Sequence, residues 1–180
     1  MKGKTPEEKL DWYRGKILSG ATEIEKALGW KLRMYFFPKA TIQAVIFYQI
    51  VLNANYFNFD RKISLYQKIS YFKKLKSYQK IVDSLRFVQT LRNELAHWEL
   101  FGETASGDLL IYDPITFKKR RLNKKLIEEF VGHDKRLLKS FGWRFTLEHK
   151  YGIKNRSIMS KRAIEIKAIA RLLSKYNKIK

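Results

Sequence analysis

Apolar residues recur three and four positions apart through most of this chain, and that spacing predicts helices. The first run is Leu18, Ala21, Ile24, Leu28 and Leu32, with Tyr35 following. Such spacing lays one apolar stripe along an amphipathic helix. Thr5-Pro6-Glu7-Glu8 supplies its start: Thr5 as N-cap, Pro6 in the first turn, and Glu8 where a capping box needs a carboxylate. Pro38 sets its end. Gly15, Gly20 and Gly29 predict local weakness within it. A more apolar helix opens at Thr41 and runs to Leu52, and Asn53, Asn55 and Asn58 mark a loop. Asp60 is placed to cap a short helix carrying Ile63, Tyr66 and Ile69.

A long helix is predicted from Ser77 to Trp98, with Ile81, Leu85, Val88 and Leu95 as its buried stripe. Arg92 falls on that same stripe. An arginine there is costly unless something polar or anionic meets it, and local conflicts of this kind gather at functional sites. Gly102 to Asp108 reads as a loop. Leu109 to Tyr112 and Ile115 to Phe117 flank Asp113-Pro114, which predicts a small β-hairpin over 109–117. Asn123 then caps a helix carrying Leu126, Ile127, Phe130, Leu137, Leu138 and Phe141, with Gly132 and Gly142 as interruptions. The aromatic stretch Phe141 to Phe145 is expected to pack back on the bundle. A last helix is expected over 157–177, with Ala163, Ile166, Ala170 and Leu173 on one side. The pattern therefore predicts an all-α bundle with a small β-hairpin insertion and a basic C-terminal helix. Internal repeats and heptad arrays are absent from the sequence.

Composition adds a partner class. Hydrophobic content of 45% with 14% aromatics fits a packed globular chain rather than a disordered one. The formal net charge of +21 over 180 residues is the outlier, and it makes nucleic acid or another anionic surface the expected partner. Cysteine is absent, so disulfides, thiolate metal sites and cysteine nucleophiles are excluded. The charged N-terminus shows no apolar signal segment. The longest apolar run, Ala40 to Leu52, is broken by Gln43 and Gln49 and is too short for a bilayer. A cytoplasmic protein without membrane association is the expectation.

The charge is concentrated. From Arg61 to Val82 there is no acidic residue, and Arg61, Lys62, Lys68, Lys73, Lys74, Lys76 and Lys80 are interleaved with Tyr66, Tyr71, Phe72 and Tyr78. Cations for phosphates beside rings for bases is how single-stranded nucleic acid is held. Lys68, Lys73, Lys74, Lys76 and Lys80 are the candidate RNA-binding residues; a solvated basic face, with most of the rings in the core, is the competing reading. The segment from Lys150 to Lys180 is also basic, with Glu165 as its one carboxylate, and its cations equally suit a helix C-terminus.

Candidate chemistry lies in Leu91-Arg92-Asn93-Glu94-Leu95-Ala96-His97-Trp98. An arginine holds a phosphate and a histidine moves a proton near neutral pH. The pair alone is weak, because Arg144 to His149 repeats the spacing. Asn93 separates the two: Arg92 is followed by Asn, whereas Arg144 is followed by Phe145. Asn93 and His97 are four apart and share a helix face, so the amide can hold one imidazole nitrogen. Arg92 lies about 140° around an ideal helix from His97. Other chemistries have weaker support. Gly102 to Gly107 has phosphate-loop spacing but carries Asp108 where lysine is required, and widely spaced histidines without cysteine do not build a zinc site. Glu23 and Glu25 do not share a helical face and read as surface or as one structural pair.

Arg-Asn-x-x-Ala-His late on a long helix, after a short Lys-Ile helix, resembles the HEPN superfamily, the nucleotide-binding domain of higher eukaryotes and prokaryotes. The likeness extends over roughly residues 15 to 140, with Ile24-Glu25-x-x-Leu28 and Phe59-Asp60-x-Lys62-Ile63 as flanking features. It implies a HEPN-like up-and-down helical domain over 5–149, with 150–180 as a basic extension. It also implies a homodimer with the active site at the interface, and Arg92, Asn93 and His97 as the catalytic residues, with no metal and no cofactor. Many such domains are endoribonucleases, and many act as toxins or phage-defence effectors, some held by an antitoxin protein. Glu99 stands where one antitoxin-paired subgroup has a tyrosine, so modification of that tyrosine is not implied.

The expected activity is metal-independent RNA cleavage by 2′-OH attack, leaving 2′,3′-cyclic phosphate and 5′-OH ends. His97 serves as acid or base, Arg92 offsets the charge on the transition state, and Asn93 orients His97 or donates to a phosphate oxygen. One histidine does not readily serve as acid and base in a single step, and a two-fold dimer supplies a second. The alternative is a non-catalytic HEPN module that binds RNA or protein.

Overall fold

The computed structural model describes residues 3–39 and 41–142. The helix expected at 157–177, the extension 150–180, the second Arg–His pair at 144–149 and the last three residues of the 141–145 aromatic stretch lie outside the described residues. The described residues are mainly helical with one small antiparallel sheet. Five α-helices are described: α1 (Pro6–Phe36), α2 (Ile42–Ile46), α3 (Phe59–Phe72), α4 (Tyr78–His97) and α5 (Lys124–Ser140). The strands are β1 (Glu99–Glu103), β2 (Leu109–Tyr112) and β3 (Lys119–Leu122).

Helix α1 begins on the capping box that its sequence predicts. Thr5 N donates to Glu8 Oε2 at 2.9 Å, and Glu8 N donates to Thr5 Oγ1 at 3.3 Å. The helix passes through Gly15, Gly20 and Gly29 without a break, because its buried stripe outweighs the weak propensity of those positions. That stripe starts earlier than expected, at Leu10, Tyr13 and Ile17; Leu18 is only half-buried. Thr41 caps α2, accepting from Ala44 N at 3.3 Å. The apolar run then continues directly as a π-helical stretch, Phe47–Leu52. Asn58, not Asp60, caps α3: its Oδ1 accepts from Arg61 N at 3.1 Å, and Asp60 sits within the first turn. Asn123 caps α5 through Leu126 N at 2.9 Å, and Gly132 does not interrupt that helix.

The sheet corrects the expected hairpin. Strand β2 pairs with β1 before it as well as with β3 after it, in the order β1-β2-β3. The strand after β2 is Lys119–Leu122, while Ile115 and Phe117 lie exposed in the connecting turn. Leu109 pairs with Leu122 and both are buried, so that pairing sets the register. The cations of β3 suit an edge strand, whose free backbone groups charges protect from unwanted pairing.

The chain forms two compact units. Among the described residues, one comprises those up to Ile24 with Ser77–Leu137, and the other comprises Glu25–Lys76 with 138–142. In the first unit the buried side chains come from the first part of α1, from Val82, Leu85, Val88, Leu91 and Leu95 of α4, from Leu109, Ile111 and Leu122 of the sheet, and from Phe130 and Leu137 of α5. In the second, Leu28, Leu32, Val45, Leu52, Phe59, Ile63 and Tyr66 are buried, and Phe141 meets Tyr66 edge to face at 5.6 Å.

Candidate functional site

The candidate residues occupy the last two turns of α4, in the first unit. Leu91 and Leu95 are fully buried and fix which way this end of the helix faces. The stripe runs through Leu91 rather than through Arg92 and Ile81, both of which are half-buried at its edge. Arg92 therefore does not carry the full burial cost expected of it, and its guanidinium reaches out. Arg92 Nη1 donates to Asn93 Oδ1 at 3.3 Å. Asn93, Ala96 and His97 are exposed. No hydrogen bond joins Asn93 to His97 among the described residues; the amide oxygen is engaged by Arg92 instead.

The helix end is held from outside its own sequence. The last carbonyls of a helix have no partner within it. Arg14 on α1 donates from Nε to the oxygen of Leu95 at 3.0 Å and from Nη2 to the oxygen of Trp98 at 2.9 Å. A cation at a helix C-terminus also meets the negative end of the helix dipole. Trp98 turns to extended backbone and leads into β1 at once. His97 is thus the last helical residue, pinned between a guanidinium-capped helix end and a strand.

Glu94 secures the other side. Its Oε2 lies 2.9 Å from Nη1 of Arg120 on β3. The contact is ionic, and neither atom makes an aligned hydrogen bond. Burial pushes the Glu94 carboxyl above its ordinary range, and the Arg120 charge opposes that shift. Arg14 and Arg120 were missed in the sequence reading, and local pattern holds no sign of them. They lie 81 and 26 positions from the groups they hold.

The basic candidates divide. Lys68, Lys73, Lys74 and Lys76 are exposed in the second unit, and Lys80 is exposed on α4 in the first. Lys62, from the same run, is buried and paired with Glu25 at 2.7 Å, so Glu25 is a partner in a structural ion pair. Tyr66 is core, whereas Tyr71 and Phe72 are exposed. No group of three or more metal-ligating side chains occurs among the described residues. No helix among them is long and apolar enough to cross a membrane. Compared with known proteins, the chain matches no family model, no curated protein and no solved structure.

Proposed function

We propose that this chain is a metal-independent endoribonuclease of the HEPN type, an up-and-down helical bundle acting on RNA in the cytoplasm as a toxin or defence effector. The observation that carries the reading is Arg92 bonded to Asn93 one turn from an exposed His97, on a helix end capped by Arg14. A cation, an amide and an imidazole thereby stand at one helix end, and these are the group types that offset charge on a phosphoryl transition state and move its protons.

In this reading the ribose 2′-OH attacks the adjacent phosphorus. His97 takes the 2′-OH proton as the new P–O bond forms. The P–O5′ bond breaks, and the leaving oxygen takes a proton from a second, protonated imidazole. Arg92 offsets the charge gained by the phosphoryl oxygens. The second imidazole is His97 of another copy across a two-fold interface, and the exposed Ala96 leaves room for that approach.

The test is RNA cleavage in EDTA by wild type, Arg92→Ala and His97→Ala, with product ends mapped. Loss of cleavage in both variants, with cyclic phosphate ends from wild type, supports the reading. Equal cleavage by His97→Ala refutes it. The exposed cations around Lys73 favour a second reading, a binding module that holds RNA without cutting. It predicts salt-sensitive affinity that survives His97→Ala and no product from wild type.

A further inference from the structure

The end of α3 presents an aromatic and cationic patch that the cleavage reading does not use. Tyr71 is 66% exposed and Phe72 is 79% exposed, although both are large apolar rings. They meet edge to face, with centroids 5.8 Å apart and planes at 74°. Lys68 stands one turn earlier on the same helix side as Phe72, and Lys73, Lys74 and Lys76 follow; all four are exposed. No carboxylate occurs in sequence from Arg61 to Val82 to neutralise them.

The backbone under the patch is fixed. Leu75 N donates to Ser70 O and Lys74 N donates to Tyr71 O, both at 3.0 Å. That pair of bonds is a Schellman closure, in which the residue after the helix adopts left-handed backbone. Glycine is the usual occupant, yet here it is Lys74, at φ 50°. The turn holds a lysine where glycine would fit with less strain.

We infer that this patch binds unpaired RNA, with bases stacking on Tyr71 and Phe72 and phosphates meeting Lys68, Lys73, Lys74 and Lys76. The inference rests on RNA as the substrate class and adds its strand state. Perpendicular rings do not match the continuous parallel stack of a duplex, whose base faces are already covered. They match bases splayed from a single strand, for which any base offers a face. The lysines supply the charge complementarity that selects a polyanion over an apolar protein surface.

The test uses the full chain carrying His97→Ala, so that bound RNA is not cut. Fluorescence anisotropy compares an unstructured RNA of about sixteen nucleotides with a duplex of the same length. Single-strand binding is expected to be tighter, and Tyr71→Ser with Phe72→Ser is expected to weaken it about tenfold while duplex binding holds. Because both rings are exposed, the double variant should keep the parent melting temperature. Lys68→Gln with Lys76→Gln should lower the salt slope by about 0.7 per lost phosphate contact. Equal affinity in the ring variant, or preference for duplex, overturns the inference. So does loss of self-association in sedimentation with RNA affinity intact, since the patch would then contact protein. Ring-dependent binding by a wild type that never cleaves keeps this inference and refutes the nuclease. Cleavage that needs His97 with binding indifferent to the rings does the reverse.

Discussion

Arg14 Nε donates to the main-chain oxygen of Leu95 at 3.0 Å, so a side chain on the first helix closes the end of the fourth. With Trp98 O accepting from the same guanidinium, two carbonyls at the site rest on one residue. Hydrogen bonds to a charged group contribute about 1.5–3 kcal/mol each, and solvent screening of the part-exposed Arg14 lowers that here. Arg14→Ala is expected to cost about 1–2 kcal/mol in urea unfolding. It should also lower kcat more than it raises KM, because His97 sits at the loosened end. Arg14→Lys should restore part of kcat, since an ammonium reaches one carbonyl but lacks the fork that serves two. An unchanged kcat in Arg14→Ala would separate this cap from catalysis.

A site that needs two copies of His97 has a kinetic signature. If the protein is the two-fold dimer proposed and His97→Ala is inactive, mixing and re-equilibrating the two sorts the dimers at random. If each cleavage draws acid and base from different copies, the rate falls as the square of the wild-type fraction. If one copy suffices, it falls linearly. The squared dependence is the expected result, measured on a labelled RNA at constant total protein.

Lys74 separates stability from binding at one position. A side chain in left-handed backbone costs about 1 kcal/mol relative to glycine. Lys74→Gly is therefore expected to raise the melting temperature while it weakens RNA binding by the loss of one cation. A raised melting temperature with unchanged RNA affinity would mean that Lys74 contributes nothing to RNA.

These relationships mark how far the sequence was readable. The capping box at Thr5 and the caps at Thr41 and Asn123 follow from residues within a few positions of one another. Propensity and periodicity act over that same range, so they were legible. Asn58 displaced Asp60 as a cap by two positions because both residue types suit the role. Strand β1 was not foreseen: Glu99-Leu100-Phe101-Gly102-Glu103 carries a glycine, and the register shifts at Phe101. Strand β3 was displaced because Ile115 and Phe117 look like strand residues, whereas the pairing follows the burial of Leu109 and Leu122. The site divides in the same way. Arg92, Asn93 and His97 are contiguous and visible as a motif. Arg14 and Arg120 reach it only through folding. Tyr71 and Phe72 carried one local signal, since two adjacent helical residues do not both face one core.

His133 supplies the pH dependence. Its ring stacks on Phe87 at 4.3 Å, and its Nδ1 is enclosed without a hydrogen-bond partner. Burial lowers its pKa from the ordinary 6.5, the Arg136 charge lowers it further, and Glu129 opposes both. The folded state therefore favours the neutral ring, while the unfolded chain takes up a proton near 6.5. Below that pH the unfolded state binds more protons, so stability falls as pH drops through the lowered folded value. His133→Phe keeps an aromatic ring against Phe87 and removes the titration. The fall in melting temperature between about pH 7.5 and 5.5 should be smaller in His133→Phe than in wild type. His97 and His149 are common to both proteins, so the difference between the two curves isolates His133. Parallel curves would show that its protonation is not coupled to folding.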